Sequence, residues 1–106
     1  MEIINLSTDK GQLINTVFDY GVIQRYADTN IKILLKSNEI LQHKEISADC
    51  GCTGTEAEKT DEGILLKIKY NSNLLGSFTK GITETYIIGG QKKSLRITIK
   101  GTVKNG

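Results

Sequence analysis

Proline and tryptophan are absent from the 106 residues, methionine and histidine occur once each, and cysteine occurs twice. Each shortage excludes something. Two cysteines separated by one glycine, Cys50-Gly51-Cys52, are not the framework of a disulfide-dense mini-protein. The lone histidine, His43, would need a thiol beside it and a third group to orient it before it could serve a Cys–His nucleophile, and nothing in the spacing predicts that geometry. A surface or strand-end histidine is the expectation. Long hydrophobic runs are missing too. Ile64-Leu65-Leu66 is among the longest and falls far short of the roughly 20 apolar residues of a membrane span, so no membrane association is expected. No sign of charge dominates: the net charge of +2 is too even to argue for nucleic acid. The first ten residues, Met1 to Lys10, have neither the basic start nor the apolar run of a secretory signal. A protein made and kept, or packaged, in a cytoplasm is therefore expected. Twelve lysines against two arginines and an abundance of isoleucine complete the compositional slant, which carries no mechanism.

What is present describes a single soluble domain over residues 1–106, since 38% apolar and 25% charged residues are globular proportions. The strongest regularity has period two. Leu95, Ile97, Ile99 and Val103 share one parity, with Arg96, Thr98, Lys100 and Thr102 on the other, as in a half-buried strand. Thr29 to Lys36 repeats the pattern through Ile31, Ile33 and Leu35, with Leu34 breaking it. Ile64, Leu66, Ile68 and Tyr70 form a third such run, and Ile82 to Ile88 is rich in β-branched and aromatic residues. Asn38 to Ala48 fits strand and helix equally well. Turn signals fall between the runs at Asp9-Lys10-Gly11, Asp19-Tyr20-Gly21, Ser37-Asn38, Asn71-Ser72-Asn73, Gly76 and Gly89-Gly90. Gly89-Gly90 reads as a hairpin connection, and it leads into a strand, so it is no phosphate-cradling loop. About 8–12 residues per strand is the spacing of an all-β sandwich of about seven to eight strands. Asp49 to Gly63 is the least patterned stretch and is expected to be the longest loop.

Four segments in order carry a family resemblance: Phe18-Asp19-Tyr20-Gly21, Cys50-Gly51-Cys52-Thr53, Gly76-Ser77-Phe78-Thr79-Lys80 and Ile97 to Val103. Together they resemble the bacterial domain of unknown function marked by a CGCT turn. That family is similar to the immunoglobulin-like domains of the abnormal-spindle/hydin and major-sperm-protein type. The resemblance implies an immunoglobulin-like antiparallel β-sandwich and no established enzymatic activity. Members often carry a leader or lipoprotein signal, which this sequence lacks, and their Pro-Gly-Glu step is here Asp61-Glu62-Gly63.

The residues that could carry chemistry cluster around the cysteines. Cys50, Gly51, Cys52 and Thr53 read first as a structural turn, with Gly51 supplying unusual dihedrals and small inert thiols packing inward. A Cys50–Cys52 redox disulfide, a metal site with His43, and bridging between copies remain open beside that reading. Glu56, Glu58, Asp61 and Glu62 lack the ligand order of a calcium loop and read as a solvated acidic run. Lys92, Lys93, Arg96 and Lys100 make a basic stripe on the last strands, but Tyr20, Tyr26, Tyr70 and Tyr86 do not interleave with it as a single-strand binder requires. No cofactor, metal or nucleic acid is expected, and no enzyme.

The expected function is a structural or interaction module. Its setting would be a small auxiliary (decoration or tail) protein of a tailed-bacteriophage virion, assembled in the host cytoplasm. It would dock a larger protein lattice through Met1 to Leu6 and Asp49 to Gly63. The alternative is a thiol-containing module of the bacterial periplasm or envelope.

Overall fold

The computed structural model describes residues 3–7, 14–37 and 39–105. Eight strands form among them: β1 (Ile3–Ser7), β2 (Ile14–Gln24), β3 (Ile31–Lys36), β4 (Leu41–Ala48), β5 (Thr53–Lys59), β6 (Ile64–Tyr70), β7 (Gly76–Ile88) and β8 (Gln91–Lys104). They make two four-stranded sheets, ordered β1-β3-β6-β5 and β2-β8-β7-β4. With β1, β3, β6 and β5 as A, B, E and D, and β4, β7 and β8 as C, F and G, this is the strand order of an immunoglobulin-like sandwich. β2 is added as a further strand beside β8. Two pairings depart from a purely antiparallel plan, because β1 runs parallel to β3 and β2 runs parallel to β8.

Period-two patterning put these strands where they are. Ile64, Leu66, Ile68 and Tyr70 on β6 are buried, as are Ile31, Ile33 and Leu35 on β3 and Leu95, Ile97, Ile99 and Val103 on β8. Alternate side chains of a strand point to opposite faces, so each run supplies one wall of the space between the sheets. Leu34, out of parity, is also buried; it lies opposite Leu65 in the β3–β6 register, on the outer face. Gly89 and Gly90 connect β7 to β8 with φ of 56° and 77°, and Ile88 pairs with Gln91. Two consecutive left-handed residues are what a tight two-residue hairpin demands.

At one end an aromatic cluster ties the sheets together. Tyr70 of β6 stacks on Phe78 of β7 with ring centroids 3.7 Å apart and planes 11° from parallel. Tyr20 of β2 sits edgewise to Phe18 at 4.9 Å and leans on Phe78 at 5.8 Å. The Tyr20 hydroxyl donates to the Thr29 carbonyl at 2.7 Å, and burial, aided by the Asp28 charge, pushes its pKa up to about 12. Thr29, itself buried, donates to the Tyr70 carbonyl.

Several expectations change. Asp49 to Gly63 is not one long loop: its centre is β5, paired with β6 from Thr53↔Tyr70 to Lys59↔Ile64. The alternation was present but written in small residues. Thr53, Thr55 and Ala57 face inward, whereas Gly54, Glu56 and Glu58 face solvent. Asp19-Tyr20-Gly21 does not end a strand but marks a bulge inside β2, where the register with β8 shifts between Asp19 and Val22. Within the expected docking segment, Ile3 to Leu6 belong to β1, whose backbone pairs with β3. Met1, Glu2, Asp9-Lys10-Gly11 and Asn38 lie outside the described residues.

Candidate functional site

The Cys50–Thr53 turn joins β4 of one sheet to β5 of the other. Thr53 N–H donates to the Cys50 carbonyl at 3.2 Å, closing the turn, and Asn71 N–H donates to the Cys52 carbonyl at 2.8 Å. In place of two free thiols, Cys50 and Cys52 are joined by a disulfide. Cys52 N–H also approaches Cys50 Sγ at 3.1 Å. Gly51 does not supply unusual dihedrals; the positive-φ glycines lie elsewhere, and a Cβ on Gly51 would meet nothing within 4 Å. The ring closure, rather than a special backbone conformation, shapes the step.

The turn is anchored at its start. Asp49 N–H donates to the Gly81 carbonyl at 2.9 Å, and the Asp49 carboxylate receives Arg96 Nη2 at 2.6 Å and Nη1 at 3.3 Å. Arg96 Nη1 also donates to Thr83 Oγ1 at 3.0 Å. The guanidinium reaches Asp49 only because it passes over Gly81, where a Cβ would lie 2.0 Å from Nη2. Hydrogen bonding from Arg96 holds the Asp49 carboxyl below the usual carboxylate range, and the same bonds raise the guanidinium. Arg96 is therefore committed to the turn and is not a free member of a basic stripe. Lys100 lies 4.0 Å from Asp19.

His43 is not beside the cysteines. It sits on β4 with Nδ1 hydrogen-bonded at 2.7 Å to Oε2 of Glu84, a carboxyl wholly removed from solvent on β7. Glu84 Oε1 has no hydrogen-bond partner. Burial raises the Glu84 pKa above its ordinary value, and His43 opposes that rise. The pair was legible in principle: Glu84 shares the parity of Ile82, Tyr86 and Ile88, so an inward carboxyl follows from the same alternation that places its neighbours. A buried carboxyl with an orphan oxygen is costly, about 1–3 kcal/mol.

The remaining candidates are dispersed. Glu56 and Glu58 project from β5, with Glu58 Oε1 3.4 Å from Lys67 Nζ, while Glu62 lies 3.5 Å from Lys36 Nζ. Among the described residues no three His, Cys, Asp or Glu side chains converge as a metal ion would require. Of the four tyrosines, Tyr70 and Tyr86 are buried and Tyr20 is partly so; Tyr26 alone is largely exposed, at 69%. No helix is long and apolar enough to cross a membrane among the described residues. No protein-family model matches the chain, and no curated protein is significantly similar to it in sequence.

Proposed function

We propose that this domain is a non-enzymatic interaction module that docks a larger protein assembly through the β2 edge. The observation that carries this reading is the character of that edge. β2 is an 11-residue outer strand whose Val17 and Val22 are 60% and 68% exposed. Edge strands are commonly guarded by charges and bulges; β2 carries Asp19 and one bulge, yet an exposed valine stands on either side of them, offering a partner both backbone hydrogen bonds and burial. The immunoglobulin-like strand order and the four segments resembling CGCT-turn domains support the same class of function. Within it, the setting we assign is an auxiliary decoration or tail protein on a tailed-bacteriophage virion. That assignment rests on fold-level analogy.

The test is affinity capture with the tagged domain from the lysate of its natural source. Stoichiometric recovery of one abundant capsid or tail protein is expected, unaffected by reductant and abolished by Val17→Lys with Val22→Lys in a domain that still folds. Recovery that ignores both substitutions refutes the edge-docking reading.

A second reading, a bacterial envelope module, is favoured by the Cys50–Cys52 disulfide, since such bonds persist where the surroundings are oxidising. A released virion also leaves the reducing cytosol, so the disulfide suits both settings. Capture of several envelope proteins only in the absence of reductant would select the second.

A further inference from the structure

A shallow, open furrow made of adjoining depressions runs from the loops holding Tyr26 and Asn73 onto the outer face of the β1-β3-β6-β5 sheet. Three depressions of about 370, 300 and 260 Å³ adjoin one another, the first two sharing Asn30 and Lys69 and the last two sharing Glu56 and Lys67. They follow β6 from Leu65 to Asn71, on the order of 20 Å at the strand rise of about 3.3 Å per residue. This face belongs to a different sheet from the β2 edge.

Tyr26 stands at one end. It is the one non-glycine residue with positive φ among those described, at 69°, a conformation that bulky residues rarely adopt. The loops around it hold it there. Tyr26 N–H donates to the Ser72 carbonyl at 3.1 Å, Ser72 Oγ donates to the Ala27 carbonyl at 2.8 Å, and Arg25 Nε donates to the Asn73 carbonyl at 3.2 Å. The Arg25 guanidinium lies 5.0 Å from the Tyr26 ring centroid, so one side of the ring is braced while most of its surface meets solvent. An exposed aromatic fixed in a strained conformation at the mouth of a cleft is a platform.

The chemistry of the furrow selects its occupant. Asp28 Oδ1 already accepts from Asn30 N–H at 2.9 Å and Nδ2 at 2.6 Å, which leaves Oδ2 as an acceptor and holds the carboxyl ionised. Lys69 lines the same depression as a donor, and beyond it Glu56 of β5 stands opposite Lys67 of β6, whose Nζ lies 3.4 Å from Glu58 Oε1. A row of lysine donors on β6 thus runs beside carboxylate acceptors of β5 and Asp28, with little net charge. A polyphosphate or nucleic acid would meet Asp28, Glu56 and Glu58, so its backbone is repelled as much as attracted. An apolar chain would desolvate these groups without satisfying them. A neutral polymer rich in hydroxyls meets both requirements, because each hydroxyl donates and accepts, and the C–H face of a sugar ring suits the negative face of an aromatic.

We infer that this furrow is an oligosaccharide-binding site, with Tyr26 as the stacking platform and Asp28, Lys69, Glu56 and Lys67 as hydrogen-bonding groups along its length. It is separate from docking through β2, and either can hold without the other.

The test is titration of the full chain, isotopically labelled, with maltotetraose, cellotetraose, chitotetraose and mannotetraose at millimolar concentration, followed by amide chemical-shift mapping. At least one tetrasaccharide should shift amides from Tyr26 and from Lys67 to Asn71. Tyr26→Asn keeps a residue that tolerates the left-handed conformation and removes the ring; it should weaken that binding at least about tenfold, or 1.4 kcal/mol. Lys69→Met should weaken it less, and neither should alter spectra of the core. The inference is overturned if no tetrasaccharide shifts the furrow, if the shifts map elsewhere, if Tyr26→Asn binds as the parent does, or if only an extended Lys/Glu peptide occupies the furrow.

Discussion

Glu84 gives the sharpest perturbation, because the structure places an ionisable group where neither of its charge states is comfortable. Its side chain is wholly buried, one oxygen meets His43 Nδ1 at 2.7 Å and the other meets nothing. Burial is the larger influence and raises the carboxyl's pKa, while His43 pulls it back. The folded state therefore binds this proton more tightly than the unfolded chain does. A raised pKa contributes stability that is full below the unfolded value, near 4.5, and is lost as pH climbs through the folded value. Across that window the loss runs at up to about 1.4 kcal/mol per pH unit, the value of one proton.

Urea unfolding of the parent and of Glu84→Gln at half-unit intervals from pH 4 upward measures this directly. The difference in stability should move against the parent as pH rises, because glutamine has no proton to lose. Asp28 and Asp49, whose carboxyls are lowered by Asn30 and Arg96, slope the other way as pH falls, but they occur in both proteins and cancel. In a His43→Asn background the carboxyl loses the group that lowers it, so the window should widen towards higher pH. Glu84→Leu removes the orphan oxygen as well, leaving His43, whose side chain is 28% exposed, to find water. Replacing His43 by leucine as well removes both partners, and that double variant should exceed the parent at neutral pH by about 1–3 kcal/mol. Parallel pH profiles for parent and Glu84→Gln would refute the reasoning, since a solvated carboxyl produces no such divergence.

Three further outcomes follow from glycines and the disulfide. Gly63→Ala sets a Cβ 2.1 Å from the Leu35 carbonyl oxygen at a φ of 155°, in a turn where Thr60 Oγ1 already accepts from Gly63 N–H; because the obstacle is backbone, chemical denaturation should show a loss of about 2–4 kcal/mol. Gly81→Ala obstructs only flexible side-chain ends, the Arg96 guanidinium and Asp49 Oδ2 at 2.6 Å, so the fold should persist while the guanidinium leaves Asp49. An NMR titration should then find the Asp49 carboxyl returned upward to the ordinary range. Replacing Cys50 and Cys52 together by serine opens a loop of only about three residues, so denaturant unfolding should register no more than about 1.6 kcal/mol on chain-entropy grounds.

The sheets were legible because their inward residues are large and apolar. The parity of Ile64, Leu66, Ile68 and Tyr70 announces β6 to the residue, and Gly89-Gly90 announces the β7–β8 hairpin. β5 was not legible as an apolar run, because Thr53, Thr55 and Ala57 line its inner face. Small inward residues fit there because the edge strand of a sandwich has less core to fill than a central one. The parallel pairings of β1 and β2 were not legible either, since parity fixes which face a residue takes and says nothing of direction.

The polar contacts of the candidate site were hidden for a different reason: each depends on groups distant in sequence. Arg96 reads as one member of a basic stripe until Gly81, on the neighbouring strand, leaves it a path to Asp49. Glu84 reads as a solvent-facing acid in a threonine-rich strand unless parity is allowed to overrule polarity. Parity does overrule it, because a strand cannot turn one side chain outward without a bulge, and β7 pairs with β8 in unbroken register from Gly76↔Val103 to Ile88↔Gln91. The bulge lies instead on the partner β4, between His43 and Glu45, and it is there that the chain adjusts to bring an imidazole to the buried carboxyl. The polar residue at an apolar parity position was thus the sequence's own mark of a special site, and its histidine partner came from the one neighbouring strand whose register is irregular.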